Sequence, residues 1–157
     1  PHLLILDEPF SGFDPVNANL IKDQIIELKN NGTTIILSTH RMESVEEMCD
    51  EIALIHKSNK LLDGSLVDIK KEYRSNTFDL GINAMNPNQL KEFLNAKYQI
   101  EETFFKSLDN ELKLSVKLND RSANELLNDV LPFGQITHFS EKIPSINDIF
   151  IQTVTNN

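Results

Sequence analysis

Two adjacent carboxylates, Asp7 and Glu8, directly follow the apolar run Leu3 to Leu6. A short continuous apolar run is typical of a strand buried on both faces of a parallel sheet. Ligands of open α/β sheets bind at the carboxyl ends of the strands, where paired carboxylates need a cation or hydrogen bonds to offset their charge. The pair therefore indicates a metal–phosphate site, in which Asp7 holds Mg²⁺ through water and Glu8 orients or deprotonates the attacking water.

Two more polar groups are expected at this edge of the sheet. The segment from Ser11 to Asp14 follows the carboxylate pair, and His40 comes just after the next apolar strand. Each group has a simpler explanation when taken alone: Asp14 as a helix N-cap, His40 as a structural histidine, and the carboxylate pair as the start of a polar turn. Their convergence at one edge favours a binding site.

The elements that position these groups alternate between strands and helices up to about residue 73. Asp14-Pro15 predicts the start of a helix, and apolar residues recur at helical spacing until the Asn30-Asn31-Gly32 stop. A second buried strand, a short helix and a third strand are predicted over Thr33 to Ser38, Met42 to Cys49 and Glu51 to His56. The order of strand, helix and strand predicts a parallel crossover and an α/β fold.

A second pattern begins near residue 75. Its segments alternate in the order β-α-β-β-α-β, and they are Thr77 to Asn83, Asn88 to Lys97, Thr103 to Leu108, Leu112 to Leu118, Ser122 to Leu131 and Gln135 to Glu141. This order is that of a small α+β ferredoxin-like domain. A terminal helix is predicted over Ser145 to Thr153, so we expect one domain over residues 1–74 and another over 75–157.

Composition excludes several classes of function. The 157 residues carry 15 Lys and Arg against 24 Asp and Glu, a net charge of −9, whereas nucleic-acid-binding surfaces need clustered positive charge. No apolar run approaches the roughly 20 residues that cross a bilayer, so we expect no direct membrane insertion. The single cysteine, Cys49, cannot form a disulfide within the chain, which favours the reducing cytoplasm.

The segments around these polar groups resemble the second half of the nucleotide-binding domain of ABC transporter ATPases. Leu3 to Glu8 resembles the Walker B segment, Ser11 to Asp14 the D-loop, and His40 the switch histidine of the H-loop. The fold that the resemblance implies is a truncated P-loop NTPase-like parallel sheet. Residues 75–157 resemble, less specifically, the accessory C-terminal domain of bacterial exporter-type subunits, which favours export.

The resemblance implies that the parent protein binds and hydrolyses Mg-ATP. Asp7 would hold the water shell of Mg²⁺, and Glu8 would be the general base that polarises the attacking water. His40 would contact the γ-phosphate of ATP. These roles would make the protein an ATPase.

The resemblance also implies partners. Ser11, Gly12 and Asp14 of the D-loop would face a second ATPase subunit across a head-to-tail ATP sandwich dimer. Transmembrane permease subunits would hold the protein in the cytoplasm, on the inner face of the cell membrane. Neither partner is a nucleic acid.

Other motifs of such ATPases do not occur in the 157 residues. The sequence has 5 glycines and no Gly-Lys pair, so it contains no Gly-x-x-x-x-Gly-Lys-[Ser/Thr] loop, and it has no Ser-Gly-Gly signature. We therefore expect the chain to be a C-terminal piece of a longer subunit that is inactive alone. Two alternatives stay open: a non-transporter ABC-type ATPase, and a chain whose working part is a regulatory or dimerisation C-terminal domain.

Overall fold

The computed structural model describes residues 1–156, which form two compact units. Unit one comprises Pro1–Glu72 together with the C-terminal segment that begins at Pro144. Unit two comprises Tyr73–Ile143. Each unit has its own sheets and its own buried residues.

The elements alternate along most of the chain. Unit one begins with β1 (Leu3–Asp7), α1 (Pro15–Asn30), β2 (Thr34–Ser38), α2 (Met42–Met48), β3 (Glu51–His56), β4 (Asn59–Ser65) and α3 (Leu66–Glu72). Unit two continues with β5 (Thr77–Ala84), α4 (Pro87–Asn95), β6 (Gln99–Glu102), β7 (Leu112–Lys117), α5 (Ala123–Val130) and β8 (Gly134–Glu141). The chain then returns to unit one with α6 (Ile146–Thr155).

Strands β1 and β2 pair in parallel, which confirms the predicted strand–helix–strand crossover. Their register places Asp7 opposite Ser38, so both strands end at the same edge. Helix α1 connects them and begins as predicted, with Asp14 as N-cap and proline at its first position. The carboxyl ends of the two strands therefore carry neighbouring polar groups.

The two parallel strands are buried on one face. Leu6 and Leu37 pack against a small core formed by Phe10, Ile25 and Met48. On the opposite face Ile5 is 68% exposed and Ile36 is 55% exposed. Within residues 1–156, the elements that cover these two strands therefore lie on one side only.

The C-terminal helix α6 packs within unit one, whereas the predicted boundary assigned residues 144–157 to the second domain. Ile146 and Ile149 of α6 are buried, and the Phe150 ring meets the His56 ring edge-on at 6.0 Å between centroids. Helix α6 thus packs against α2, and its Phe150 contacts His56 of β3, which explains why the chain returns to unit one. Sequence order alone did not indicate this return.

Unit two is a four-stranded antiparallel sheet in the order β6-β7-β5-β8, with α4 and α5 packed against it. Its core consists of apolar side chains from the sheet and both helices, among them Leu80, Ile82, Leu90, Leu94, Leu114, Val116, Leu126 and Val130. Helix α5 begins with a capping box, in which Ser122 and Glu125 exchange hydrogen bonds. In this unit the helix-capping residues and the pattern of apolar core residues therefore specify the same elements.

One strand of unit two lies earlier in the chain than predicted. The prediction of a strand over Thr103 to Leu108 is wrong, because β6 spans Gln99–Glu102 and the residues that follow it are irregular. The Phe105 carbonyl accepts a hydrogen bond from Lys113 Nζ at 2.8 Å, and the Phe105 ring lies 4.3 Å from the His138 ring. Side-chain contacts therefore replace strand pairing here.

Tyr98 makes the stability of unit two sensitive to alkaline pH. Its ring is 5% exposed, and its hydroxyl donates to Asp129 Oδ2 at 2.8 Å. Burial, followed by this hydrogen bond, raises the pKa of Tyr98 from 10.0 to about 12. The neutral phenol therefore stabilises the folded state fully below pH 10, and this contribution is lost as the pH rises toward 12.

We expect the free energy of unfolding to fall between pH 10 and about 12, and to fall less steeply in Tyr98→Phe. Urea unfolding at a series of pH values measures both slopes. Lys97, which binds Asp129 at 3.0 Å, stays in place in the variant, so Asp129 keeps a partner. Equal slopes for the variant and the wild type would contradict the prediction.

Candidate functional site

Glu8 and His40 form a hydrogen-bonded pair at the carboxyl ends of β1 and β2. His40 Nδ1 lies 2.7 Å from Glu8 Oε1, and the same oxygen accepts the His40 backbone N–H at 3.0 Å. The other oxygen, Glu8 Oε2, accepts the Thr39 hydroxyl at 3.2 Å. The His40 side chain is 82% exposed, so one side of the pair is open to a substrate.

The backbone at Glu8 turns its carboxylate toward β2. Strand alternation would send Asp7 and Glu8 to opposite faces, but Glu8 has a φ of 44°, which few residues other than glycine adopt. Its N–H donates to the Ser38 carbonyl at 2.9 Å, so the turn is anchored to the neighbouring strand. This conformation places Glu8 beside His40.

The hydrogen bond from the His40 side chain is the largest cause that lowers the pKa of Glu8 below its ordinary value. Burial opposes this effect, and the bonds from the His40 backbone and the Thr39 hydroxyl add to it. Glu8 is therefore ionised at neutral pH. An ionised carboxylate is the form that can accept a proton or a hydrogen bond from water.

Asp7 contacts Ser38, its partner in the parallel register. The Ser38 hydroxyl donates to Asp7 Oδ1, on the same side of β2 as the exposed Ile36. Magnesium ions prefer oxygen ligands and are usually held by one or two carboxylates, with water and phosphate completing the shell. The oxygens of Asp7 and Ser38 fit this preference.

The predicted D-loop residues form the turn between β1 and α1. The Ser11 N–H donates to the Glu8 carbonyl at 3.0 Å, and Gly12 has a φ of 79°, in the left-handed region. The Asp14 carboxylate accepts the backbone N–H groups of Val16 and Asn17 at 2.9 and 3.0 Å. Hydrogen bonds to Asn17 are the largest causes that lower the pKa of Asp14.

Hydrogen bonds thus connect Asp7 and Glu8 to Ser38, Thr39 and His40 at the end of β2. Asp14 lies at the start of α1. Within residues 1–156, no hydrogen bond connects Asp14 to the Glu8–His40 pair. The sequence assigned no role to Ser38 or Thr39, although both hydroxyls contact a predicted carboxylate. Ser38 is the last residue of β2 and Thr39 follows it, so their place at the carboxyl end of a strand was the available signal.

Comparison with protein families identifies the chain. The family described as "ATP-binding protein DrrA1-3-like, C-terminal domain" matches residues 64–154, which is more than half of the chain. The chain belongs to the ABC transporter ATP-binding proteins. The resemblance found at the Walker B, D-loop and H-loop segments agrees with this family.

Curated relatives of this ABC ATP-binding protein match it over nearly its whole length. One from Alkalihalophilus pseudofirmus is 37% identical over 98% of the chain and 55% of the relative. YhaQ from Bacillus subtilis is 36% identical over 98% of the chain and 49% of the relative. Both are named ABC transporter ATP-binding proteins, and the chain spans about half of their length.

Two further comparisons cover part of the ABC ATP-binding protein. A fluoroquinolones export ATP-binding protein of Mycobacterium tuberculosis is 56% identical over 35% of the chain and 18% of the relative. A solved structure of an ATP-binding subunit of an ABC transporter has a TM-score of 0.43 and 36% identity, over 46% of this chain and 30% of that chain. No helix within residues 1–156 has the length and apolar character that crossing a membrane requires.

Proposed function

We propose that this chain is part of a longer ABC subunit that hydrolyses Mg-ATP, with Glu8 as the general base and His40 as the contact of the γ-phosphate. The observation that carries the proposal is the 2.7 Å hydrogen bond between Glu8 and His40 at the carboxyl ends of two parallel strands. This edge is where open α/β sheets bind their ligands. Membership of the ABC ATP-binding proteins indicates that this ligand is ATP.

The chemistry of the pair fits water activation. The lowered pKa of Glu8 keeps its carboxylate ionised, so it can orient the attacking water, while the same lowering makes it a weaker base toward the water's proton. Because Nδ1 of His40 donates to Glu8, Nε2 is the ring nitrogen left to face a phosphate oxygen, to which it would donate in the doubly protonated ring. Thr39 holds the second oxygen of Glu8 and fixes the plane of the carboxylate.

Asp7 is the proposed magnesium-binding residue. Its carboxylate and the Ser38 hydroxyl present neighbouring oxygens at the strand ends, and they would hold the ion through its water shell. A bound Mg²⁺ would supply positive charge to the phosphates during their transfer.

The partners proposed for the longer protein are a second ATPase subunit and transmembrane permease subunits. Ser11, Gly12 and Asp14 occupy the exposed turn before α1, which is available to a second subunit across a head-to-tail dimer. The permease would hold the protein at the cytoplasmic face of the membrane. Relatives named for fluoroquinolone export and Nod factor export support export as the direction of transport.

We also propose that unit one is part of a larger P-loop NTPase-like sheet. An open groove of about 820 Å³ is lined by β2 residues Thr34 to Leu37 and β3 residues Glu51 to Leu54. Within the described residues, β2 pairs only with β1, and β3 pairs only with β4. The groove therefore has room and backbone groups for a strand supplied by the rest of the subunit.

Unit two is the proposed accessory domain. Its elements follow the order β-α-β-β-α-β, and its strand order β6-β7-β5-β8 supports a ferredoxin-like arrangement. The domain boundary we propose lies near residue 74, as the sequence pattern indicated, with α6 added to the ATPase part. This assignment keeps the hydrolytic residues and α6 in one body.

The chain of residues 1–157 alone is expected to bind no Mg-ATP, whereas the full-length subunit binds it. The proposed roles of Asp7, Glu8 and His40 concern only the magnesium ion, the attacking water and the γ-phosphate. A Gly-Lys loop that would bind the other phosphates does not occur in this sequence. Isothermal titration calorimetry with Mg-ATP on both proteins tests the difference. Stoichiometric binding by the short chain would contradict this part of the proposal.

A further inference from the structure

We infer that Glu46 is a positioning residue for His40, through which the C-terminal helix α6 sets the geometry of the hydrolytic pair. The inference rests on the role proposed above for His40. It concerns contacts inside unit one, between α2, α3 and α6. Glu46 itself touches none of the proposed reacting groups.

Glu46 binds the first turn of α6. Its Oε1 accepts the backbone N–H of Ile146, the first residue of that helix. Such an N–H has no partner within its own helix, and the Ser145–Asp148 capping box does not supply one for it. A carboxylate at this position is also favoured by the helix dipole, so Glu46 completes the cap of α6 from a different helix.

Helix α2 depends on such contacts for its position. It has 7 residues, begins two residues after His40, and its N-cap, Arg41, makes no side-chain capping bond. Helices this short are not stable on their own. On one side α2 is held by α1, where Lys29 Nζ donates to the Met48 carbonyl at 3.0 Å; on the other side it is held by α6 through Glu46.

The space between His40 and α6 is open. A cavity of about 650 Å³ is lined by His40 and Glu46 on one side and by Ser145 and Asn147, at the start of α6, on the other. If the Glu46 link is broken, the first turn of α2 has room to shift, and His40 shifts with it.

The second oxygen of Glu46 provides a control. Lys70, on α3, binds Glu46 Oε2 at 2.9 Å, and this ion pair can be removed without touching Ile146. Lys70→Met therefore removes a charge partner of Glu46 and leaves the α2–α6 link in place. Glu46→Gln also keeps this link, because an amide oxygen still accepts the Ile146 N–H while the charge of the side chain itself is lost.

The test measures steady-state ATP hydrolysis by the full-length subunit. Glu46→Ala is expected to lower kcat about tenfold while the KM for ATP changes less than about twofold, because His40 is misplaced but the other ATP-binding groups are not. Glu46→Gln is expected to restore most of the turnover, and Lys70→Met to match the wild type. Ile146→Pro, which removes the N–H at a helix position that tolerates proline, is expected to repeat the loss and serves if Glu46→Ala fails to fold. Ile146→Val, which shortens the same buried side chain and keeps the N–H, is its control and is expected to keep the wild-type turnover.

Glu8→Gln measured in parallel separates the two claims. Wild-type kcat in Glu46→Ala or Ile146→Pro, together with inactive Glu8→Gln, would overturn the role of Glu46 and leave the proposed function intact. Equal losses in Glu46→Ala and Glu46→Gln would also overturn it, because the hydrogen bond to α6 would then be irrelevant. Full turnover in Glu8→Gln would overturn the proposed function itself.

Discussion

Replacing Glu8 with Gln in the full-length subunit is expected to lower ATP turnover by about 10²–10⁴-fold, the usual contribution of a positioned general base. Glutamine has nearly the same shape: its amide oxygen still accepts the hydrogen bonds of His40, and its NH₂ can donate to the Thr39 hydroxyl, but it cannot take a proton from water. Binding of Mg-ATP is expected to change less than about threefold, because only the water-activating group is lost. Phosphate release at saturating ATP measures the first quantity, and calorimetry the second.

Asp23→Asn is the matched control for this prediction. Asp23 is an exposed carboxylate on α1, outside the strand ends that carry the site. Its replacement removes the same charge and is expected to leave turnover unchanged. If Glu8→Gln and Asp23→Asn hydrolyse ATP at similar rates, Glu8 is not the base.

Replacing Gly134 with Ala is expected to destabilise unit two by about 3 kcal/mol, at the upper end of overpacking effects. Gly134 is the first residue of β8, opposite Ala84 of β5. A Cβ at this position would lie 2.1 Å from the Asn83 carbonyl oxygen and 2.9 Å from Ala84 Cα. These are backbone atoms of the paired strand, so relief requires the β5–β8 pairing to open.

Gly81→Ala is the comparison for this prediction. A Cβ at Gly81 would lie 2.9 Å from Thr137 Oγ1 and 3.1 Å from Phe105 Cζ, which can move by rotation, and 3.0 Å from His138 Cβ, so no backbone atom is among its nearest neighbours. Its expected loss of stability is therefore smaller. Urea unfolding of the 157-residue chain, followed by circular dichroism, ranks the variants, and a Gly134→Ala protein as stable as the wild type would contradict the clash.

The edge that carries Glu8 and His40 could be predicted from sequence because its signals are local. Asp14 before Pro15 specifies where α1 starts, and the apolar runs before Asp7 and Ser38 specify two strands that a helix must connect in parallel. Parallel pairing then brings the two strand ends together. That topology brings Glu8 and His40 to the same edge, and the turn at Glu8 completes their contact.

The remaining features depend on contacts that no local pattern encodes. The sharp turn at Glu8 is evident from its φ of 44° and not from any residue pattern. The return of α6 to unit one depends on its packing against α2 and on the contact of Phe150 with His56 of β3. Strand β6 was misplaced because Phe104 and Phe105 have the residue types of a strand. In the structure the Phe105 ring packs on His138 instead.

A structure of the full-length Glu8→Gln subunit with Mg-ATP tests the central claim most directly. The account predicts that the γ-phosphate lies within hydrogen-bond distance of His40, beside the side chain at position 8. It also predicts that Asp7 lies in the water shell of the magnesium ion. A nucleotide bound with its γ-phosphate away from the ends of β1 and β2 would contradict the account.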